Sequence, residues 1–293
     1  MSAVLVEEGP DQGAIWHFGE PNKEQKLLLE GKAWVNLSHR SVISVRGVDR
    51  LRWLHDITTQ DVESLGANIW KPALILDALG HIKFQFDLFD DGEKTWMVTD
   101  SIYKDELIAF LQKMKFMLRV EVKDESAEFG CVRIAGAPDA MGGPFKIVKK
   151  DSINEEGIEV GIWALEAERV AAGRARLGFE TDHKSIPNEL GFLNTSVHMK
   201  KGCYPGQETV AKINNLGTPP RKLVLLHLDG LKVDLPKPGD KVFDGEKEVG
   251  FIGTVVRHYE LGPIGLAVVR KNVPIENTLV VDSVSASQEA IKR

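Results

Sequence analysis

The sequence predicts an α+β fold followed by a small all-β barrel, and three observations carry that reading. Ile82, Phe84, Phe86 and Leu88 alternate with Lys83, Gln85 and Asp87, and Asp90-Asp91-Gly92 then turns into a second strand over 95–99. Leu107, Ile108, Leu111 and Met114 give residues 102–116 the spacing of an amphipathic helix, the pattern of a sheet with helices on one face. Beyond the linker signal at 214–220 (Asn214-Asn215-Leu216-Gly217-Thr218-Pro219-Pro220), only short, closely spaced strands follow, with no helical pattern between them.

In chain order, residues 1–23 read as irregular, with Trp16-His17-Phe18 too aromatic for a free tail and expected to dock on the body or line a pocket. A helix over 24–30 ends at Gly31, as a glycine just past the last turn would end it. Strands follow at 33–37 and 42–46, and Asp49 is placed to cap a helix over 50–57. Residues 73–76 form a short apolar strand ahead of the 77–80 turn. After the long helix, alternation returns at 118–122, and 129–135, 145–148 and 158–163 are strands. Cys131 belongs to the first of these and reads as core. Residues 136–144 form a Gly/Pro-rich loop without GxGxxG or P-loop spacing. A helix over 164–175 precedes a polar stretch, 181–189, that Ile186-Pro187 interrupts. In the terminal unit, strands are expected at 223–228, 241–243, 249–256, 265–269 and 278–281, and 283–293 as a frayed tail.

With 293 residues, 43% hydrophobic and 27% charged, the chain is an ordinary globular sequence of two or three domains that needs no staple. A net charge of −6 argues against nucleic-acid binding over the whole surface. Two cysteines, Cys131 and Cys203, in no CxxC pair, fit a reducing compartment and are too few for a Cys-ligated cluster or zinc site. No run approaches the ~20 apolar residues of a membrane span, and no leader pattern opens the chain, so no membrane partner and a cytoplasmic location are expected. His17, His39 and His55 have no metal-ligand spacing and read as structural.

The stretch richest in chemistry is Lys200-Lys201-Gly202-Cys203-Tyr204-Pro205-Gly206-Gln207-Glu208. Gly202 and Gly206 allow close approach, Pro205 excludes a central strand, and Glu208 opens a short helix or strand. A thiol between glycines, behind two lysines, has surroundings that favour the thiolate. The same residues also suit a structural loop whose cysteine fills a small apolar hole. Five basic residues against one acid between 200 and 222 point either to an anionic ligand or to solvated lysines.

This loop resembles the K-G-C-Y-x-G-Q-E signature of YgfZ-type folate-binding proteins, relatives of the aminomethyltransferase (T-protein) of glycine cleavage, and matches it at every specified position. Leu37-Ser38-His39-Arg40, residues 52–62, Leu76-Asp77-Ala78-Leu79-Gly80-His81-Ile82 and Pro187-Asn188-Glu189 resemble further segments of that family. The resemblance implies two interleaved α+β modules within 1–217, the second over roughly 50–125, and a barrel over 218–293, all arranged around a central cavity that holds tetrahydrofolate or a one-carbon derivative. It implies a role in iron–sulfur cluster assembly or repair, and so in tRNA modification, with iron–sulfur client proteins or assembly factors as partners. Cys203 would be the working thiol and Lys201 would hold it as thiolate; Asp77, Glu189, Tyr204, Gln207, Glu208 and Arg221 would contact folate, with Trp53, Phe84 and Trp163 as slot walls. No metal site is expected.

Two departures from the family stand out. The acidic pair of catalytic T-proteins is replaced by Phe84 and Gln85, which cannot exchange a proton, so aminomethyl transfer is disfavoured. The Glu-Ala-Gly of folate-binding relatives is Ala171-Ala172-Gly173 here, which removes one pterin contact. A folate-dependent aminomethyl- or methyltransferase, and a thiol redox sensor without folate, are the alternatives.

Overall fold

The structure, a computed structural model, describes residues 2–136, 145–230 and 234–291. The N-terminal stretch is not irregular: β1 (Val4–Leu5) and β2 (Ile15–His17) pair antiparallel. Trp16 then docks against Trp163 with ring centroids 4.7 Å apart. Helix α1 (Pro21–Leu29) begins on a proline, whose missing N–H costs nothing in a first turn. Next come β3 (Ala33–Asn36), β4 (Ser41–Arg46) and α2 (Arg50–Ile57). Asp49 does not cap α2 as expected; its carboxylate takes three hydrogen bonds of 2.8–3.1 Å from Arg119 instead.

Strands β5 (Lys71–Leu76), β6 (Ile82–Asp90) and β7 (Lys94–Thr99) lead to α3 (Lys104–Met114) and β8 (Glu121–Asp124). With β4 they make an antiparallel sheet of order β5-β6-β7-β4-β8. Along β6 the alternation is realised as predicted. Phe84, Phe86 and Leu88 enter a core with Trp53 and Leu54 of α2 and Leu107 and Leu111 of α3, and Gln85 and Asp87 lie on the opposite face. Strand β8 starts later than the expected 118, because Phe116 turns the chain with φ +43°.

A second sheet, β10-β9-β3-β11, joins β3 to β9 (Phe129–Arg133), β10 (Phe145–Lys149) and β11 (Ile158–Val160). Its strands lie in sequence on both sides of the five-stranded sheet. The predicted loop at 136–144 lies, from 137 on, outside the described residues. Cys131 is buried in this sheet's core. Helix α4 (Ile162–Ala171) is shorter than expected and is followed by α5 (Gln207–Leu216).

The terminal unit is a closed barrel, β12-β15-β14-β13-β16-β17, of β12 (Arg221–Leu228), β13 (Lys241–Asp244), β14 (Lys247–His258), β15 (Gly262–Arg270), β16 (Leu279–Val281) and β17 (Val284–Ala290). The expected frayed tail is thus a strand. β17 pairs with both β12 and β16 and closes the barrel, leaving no exposed edge there. The barrel docks on α4 and the chain after it: Glu180 accepts from the Thr254 amide at 2.7 Å and the Arg176 amide at 2.8 Å. A Cβ at Gly253 would meet Glu180 at 2.5 Å, so the bulge of β14 needs glycine there. Among the described residues, no helix is long and apolar enough to cross a membrane.

Candidate functional site

Cys203 is exposed and free, on a loop that both neighbours hold down. On one side, the buried Lys201 ammonium donates to the carbonyls of Thr58 (2.5 Å), Gln60 (3.2 Å) and His55. These lie at the C-terminal end of α2, where a helix leaves carbonyls without amide partners and favours a cation. Burial pushes Lys201 down to about 8, against the opposing fields of Asp56, Asp61 and Glu63. All three protons of the ammonium are thereby directed at backbone, which removes Lys201 as the direct partner of a Cys203 thiolate. On the other side, Gly206 starts α5 with φ +77°, and a Cβ there would lie 2.6 Å from the Asp77 carbonyl. Only glycine lets the 203–206 loop lie on the 77–80 turn.

The residues expected to contact folate are placed as follows. Asp77 holds its own turn, accepting from the Leu79 and His81 amides at 2.9 Å each, with His81 Nδ1 3.0 Å away. Tyr204 is buried in the core beside Val210, Leu190 and Leu76, and burial pushes its hydroxyl up to about 12. Gln207 reaches back to the Lys201 carbonyl at 3.4 Å, and Glu208 is exposed on the first turn of α5. Glu189 and Arg221 face each other, and Arg221 also binds Asp182, so this guanidinium is neutralised and is no free rim for an anion.

A cavity of about 410 Å³ lies where the five-stranded sheet, the end of α4 and the chain at 190–196 meet, and neither these residues nor Cys203 and Lys201 line it. Its lining comes instead from β6 and β7 (Gln85, Asp87, Val98, Thr99), Asp100 just after β7, the end of α4 and the loop to Leu177, and residues 190–196. Gln85 faces it, accepting from the Leu177 amide at 2.7 Å. Phe84 does not: it is turned into the α2/α3 core, 5.7 Å from the Phe110 ring. Trp53 is core as well, and Trp163 donates to the Arg257 carbonyl at 3.2 Å, so none of the three is a slot wall.

Sequence reasoning missed the polar cluster that lines the cavity through Asp100, Glu166, Arg169 and Arg176 and continues behind it, because its members are scattered from residue 11 to residue 180. Arg176 pairs bidentately with Asp11 (2.6 and 2.7 Å) and with Asp100 (2.8 and 2.9 Å), and lies 3.4 Å from Glu166. Arg169 binds Glu166, Glu180 and Thr254. Burial raises the Asp11 carboxyl, but His39 and Arg176 outweigh it and hold it far below the usual carboxylate range. Arg40 is less well served: its buried Nε lacks a hydrogen bond and sits 3.6 Å from Asp100. The segment 190–196 connects the cavity wall to the cysteine loop, and Thr59 ties the two by donating to the Ser196 carbonyl (2.6 Å) and accepting from the His198 amide (2.8 Å).

No family model matches the chain. It is 26% identical over 248 residues to the mitochondrial iron-sulfur cluster assembly factor IBA57 homolog of Mycosarcoma maydis, a match that covers 71% of the chain and 61% of that protein. The chain therefore spans less than two thirds of that relative's length. It is 23% identical over 283 residues to an aminomethyltransferase of Rubrobacter xylanophilus, covering 80% of the chain and 75% of that protein. The crystal structure of the glycine cleavage aminomethyltransferase T from Bartonella henselae superposes with a TM-score of 0.80 at 13% identity, over 98% of this chain and 93% of that one. The fold is the T-protein fold, and the chain is related in sequence to both an iron–sulfur assembly factor and an aminomethyltransferase.

Proposed function

We propose that this relative of T-proteins is a folate-binding accessory factor of iron–sulfur cluster assembly or repair, with Cys203 as its working thiol. Its partners are then cluster-bearing clients or assembly factors, and its effect on tRNA modification runs through cluster-dependent enzymes. The observation that carries the reading is the exposed thiol on a loop held rigidly from both sides, by Lys201 on α2 and by Gly206 on the 77–80 turn. An exposed free thiol suits a reducing compartment such as the cytoplasm.

The cavity fits tetrahydrofolate or a one-carbon derivative in size and in wall chemistry. Its volume falls in the usual range of small-molecule sites, and Val98, Leu177, Leu190 and Phe192 offer apolar sides for a flat ring. Arg40, whose Nε makes no hydrogen bond and is 3.6 Å from Asp100, is the wall cation best placed for an acidic tail, since Arg174 already binds Glu168 at 3.2 Å. No carboxylate stands at Ala171, and Asp100 and Glu166 are engaged with Arg176, so the fit is to shape and tail more than to a carboxylate–pterin pair.

A folate-dependent aminomethyl- or methyltransferase has one observation in its favour: Asp87, two residues after Gln85 on the same face of β6, also lines the cavity. Gln85 itself can neither take nor give a proton. A thiol redox sensor would need no cavity ligand at all. Titration calorimetry with tetrahydrofolate and complementation by Cys203→Ser separate the three. The proposal expects binding, no turnover with candidate one-carbon donors, and failure of Cys203→Ser to restore a cluster enzyme in cells lacking the protein. Turnover would establish the transferase, and full rescue would remove Cys203 from the mechanism.

A further inference from the structure

We infer that His55, oriented by Asp61, is the base that takes the proton of the Cys203 thiol. The inference deepens the reading of Cys203 as the working thiol and rests on it.

His55 is 8% exposed, which is unusual for an imidazole with so few partners. Its Nδ1 lies 3.1 Å from Asp61 Oδ1, an ion-pair distance but off the line of a hydrogen bond. Its Nε2 has no hydrogen-bond partner among the described residues and is turned to the cysteine loop, 3.8 Å from where a Cβ on residue 202 would sit. Residue 202 is glycine, so no side chain of its own stands between the loop backbone and that nitrogen. The two sites are also tied through backbone, because Lys201, two residues before Cys203, donates to the carbonyl of His55 itself. The end of α2 and the cysteine loop are therefore tied by a bond that neither the His55 ring nor the Cys203 side chain makes, and the ring faces the loop one residue before the thiol.

In the tautomer that carries its proton on Nδ1, toward Asp61, the Nε2 lone pair is free. The step is a proton transfer only. The Sγ–H bond breaks, Nε2–H forms, and the electron pair stays on sulfur; the thiolate then faces an imidazolium whose charge Asp61 balances. This is the nucleophile–base–orienter order found wherever a weak nucleophile must be activated. The surrounding charges are Asp56, Glu63 and Arg52 near Lys201, His198 near Asp61, and Glu208 on α5. Asp56, Asp61 and Glu63 thus set three carboxylates against Arg52 and Lys201 around the end of α2.

The test is the rate of Cys203 alkylation by iodoacetamide on the full chain from pH 6 to 9, read by mass, with buried Cys131 as the unreactive internal control. His55→Gln is expected to slow the reaction about tenfold at pH 6.5, the equivalent of one pH unit of thiolate supply, and to match the wild-type protein near pH 9. Asp61→Asn should slow it less, in the same direction, and serves if His55→Gln does not fold. Identical pH profiles, or slowing by one factor at every pH, would overturn the inference. Rescue of a cluster enzyme by Cys203→Ser would instead sink the working-thiol reading and leave the alkylation profile standing.

Discussion

Arg221, the first residue of β12, meets Glu189 in a fork of two hydrogen bonds, Nε to Oε1 at 2.9 Å and Nη2 to Oε2 at 2.8 Å. The same guanidinium reaches Asp182 at 2.6 Å, so one cation fastens the barrel to the turn ahead of the cavity wall. Burial would lower this arginine, but the two carboxylates outweigh it and raise it further. Such a group binds the fold together and leaves no charge over for a ligand.

Replacing that cation should therefore cost stability and not affinity. Arg221→Ala leaves Glu189 buried without its partner, and a loss of about 2–3 kcal/mol is expected, below the full cost of breaking a buried pair because Arg221 is partly exposed. The urea midpoint should fall while the tetrahydrofolate dissociation constant stays within twofold. An affinity loss of tenfold or more at unchanged stability would return Arg221 to the ligand site.

The acid side of the stability curve should be set by the polar cluster that lines the cavity and continues behind it. Burial raises Asp11 and Asp100, yet Arg176 and its neighbours hold both below ordinary carboxylates. The unfolded chain takes up protons near pH 4, where the folded one does not. Stability from these pairs is thus complete above about pH 5 and falls away as the pH drops further. Melting temperature measured from pH 7 to 3 should decline steeply in the last two units, and Asp11→Asn should flatten the decline while lowering the plateau. A wild-type curve as flat as the variant's would contradict the assignment.

Filling the cavity should remove the ligand without unfolding the chain. Ala172 lies on the cavity wall just past the end of α4, with ordinary backbone angles. Ala172→Trp adds a ring that the 410 Å³ space can hold. Calorimetry should show heat with tetrahydrofolate for the wild-type chain and none for the variant, at a similar melting temperature. Undiminished binding would place the ligand elsewhere.

Much of this architecture could be read from residue order, and the failures have local causes. The β6 alternation was decisive because one face of that strand packs on two helices and the other meets a polar cavity. The same alternation shows why Phe84 and Gln85 could not act as a pair: adjacent strand residues point to opposite faces. β17 escaped notice because Ser285, Ser287 and Gln288 give it little hydrophobic signal, and its order comes from pairing with strands on both sides. The Arg176 cluster was illegible for another reason: Asp11, Asp100 and Glu166 meet it only after the chain has folded. The thiol loop was the reverse case, since its glycines and cysteine are contiguous, although the direction of Lys201 depended on carbonyls nearly 150 residues away in sequence.

That direction gives the last prediction. If Lys201 held a Cys203 thiolate directly, removing its charge would slow alkylation at neutral pH whatever happened to stability. With its protons on the carbonyls of His55, Thr58 and Gln60, Lys201→Met should act first on the fold. Each buried carbonyl left without a donor costs about 1–3 kcal/mol, offset in part by the release of a buried ammonium that burial has brought to about 8. A net loss of about 2 kcal/mol in denaturant unfolding is expected. The alkylation rate at pH 7 should stay level or rise as the loop loosens from α2. A tenfold slower reaction in a variant of wild-type stability would mean that the ammonium, not His55, is what the sulfur depends on.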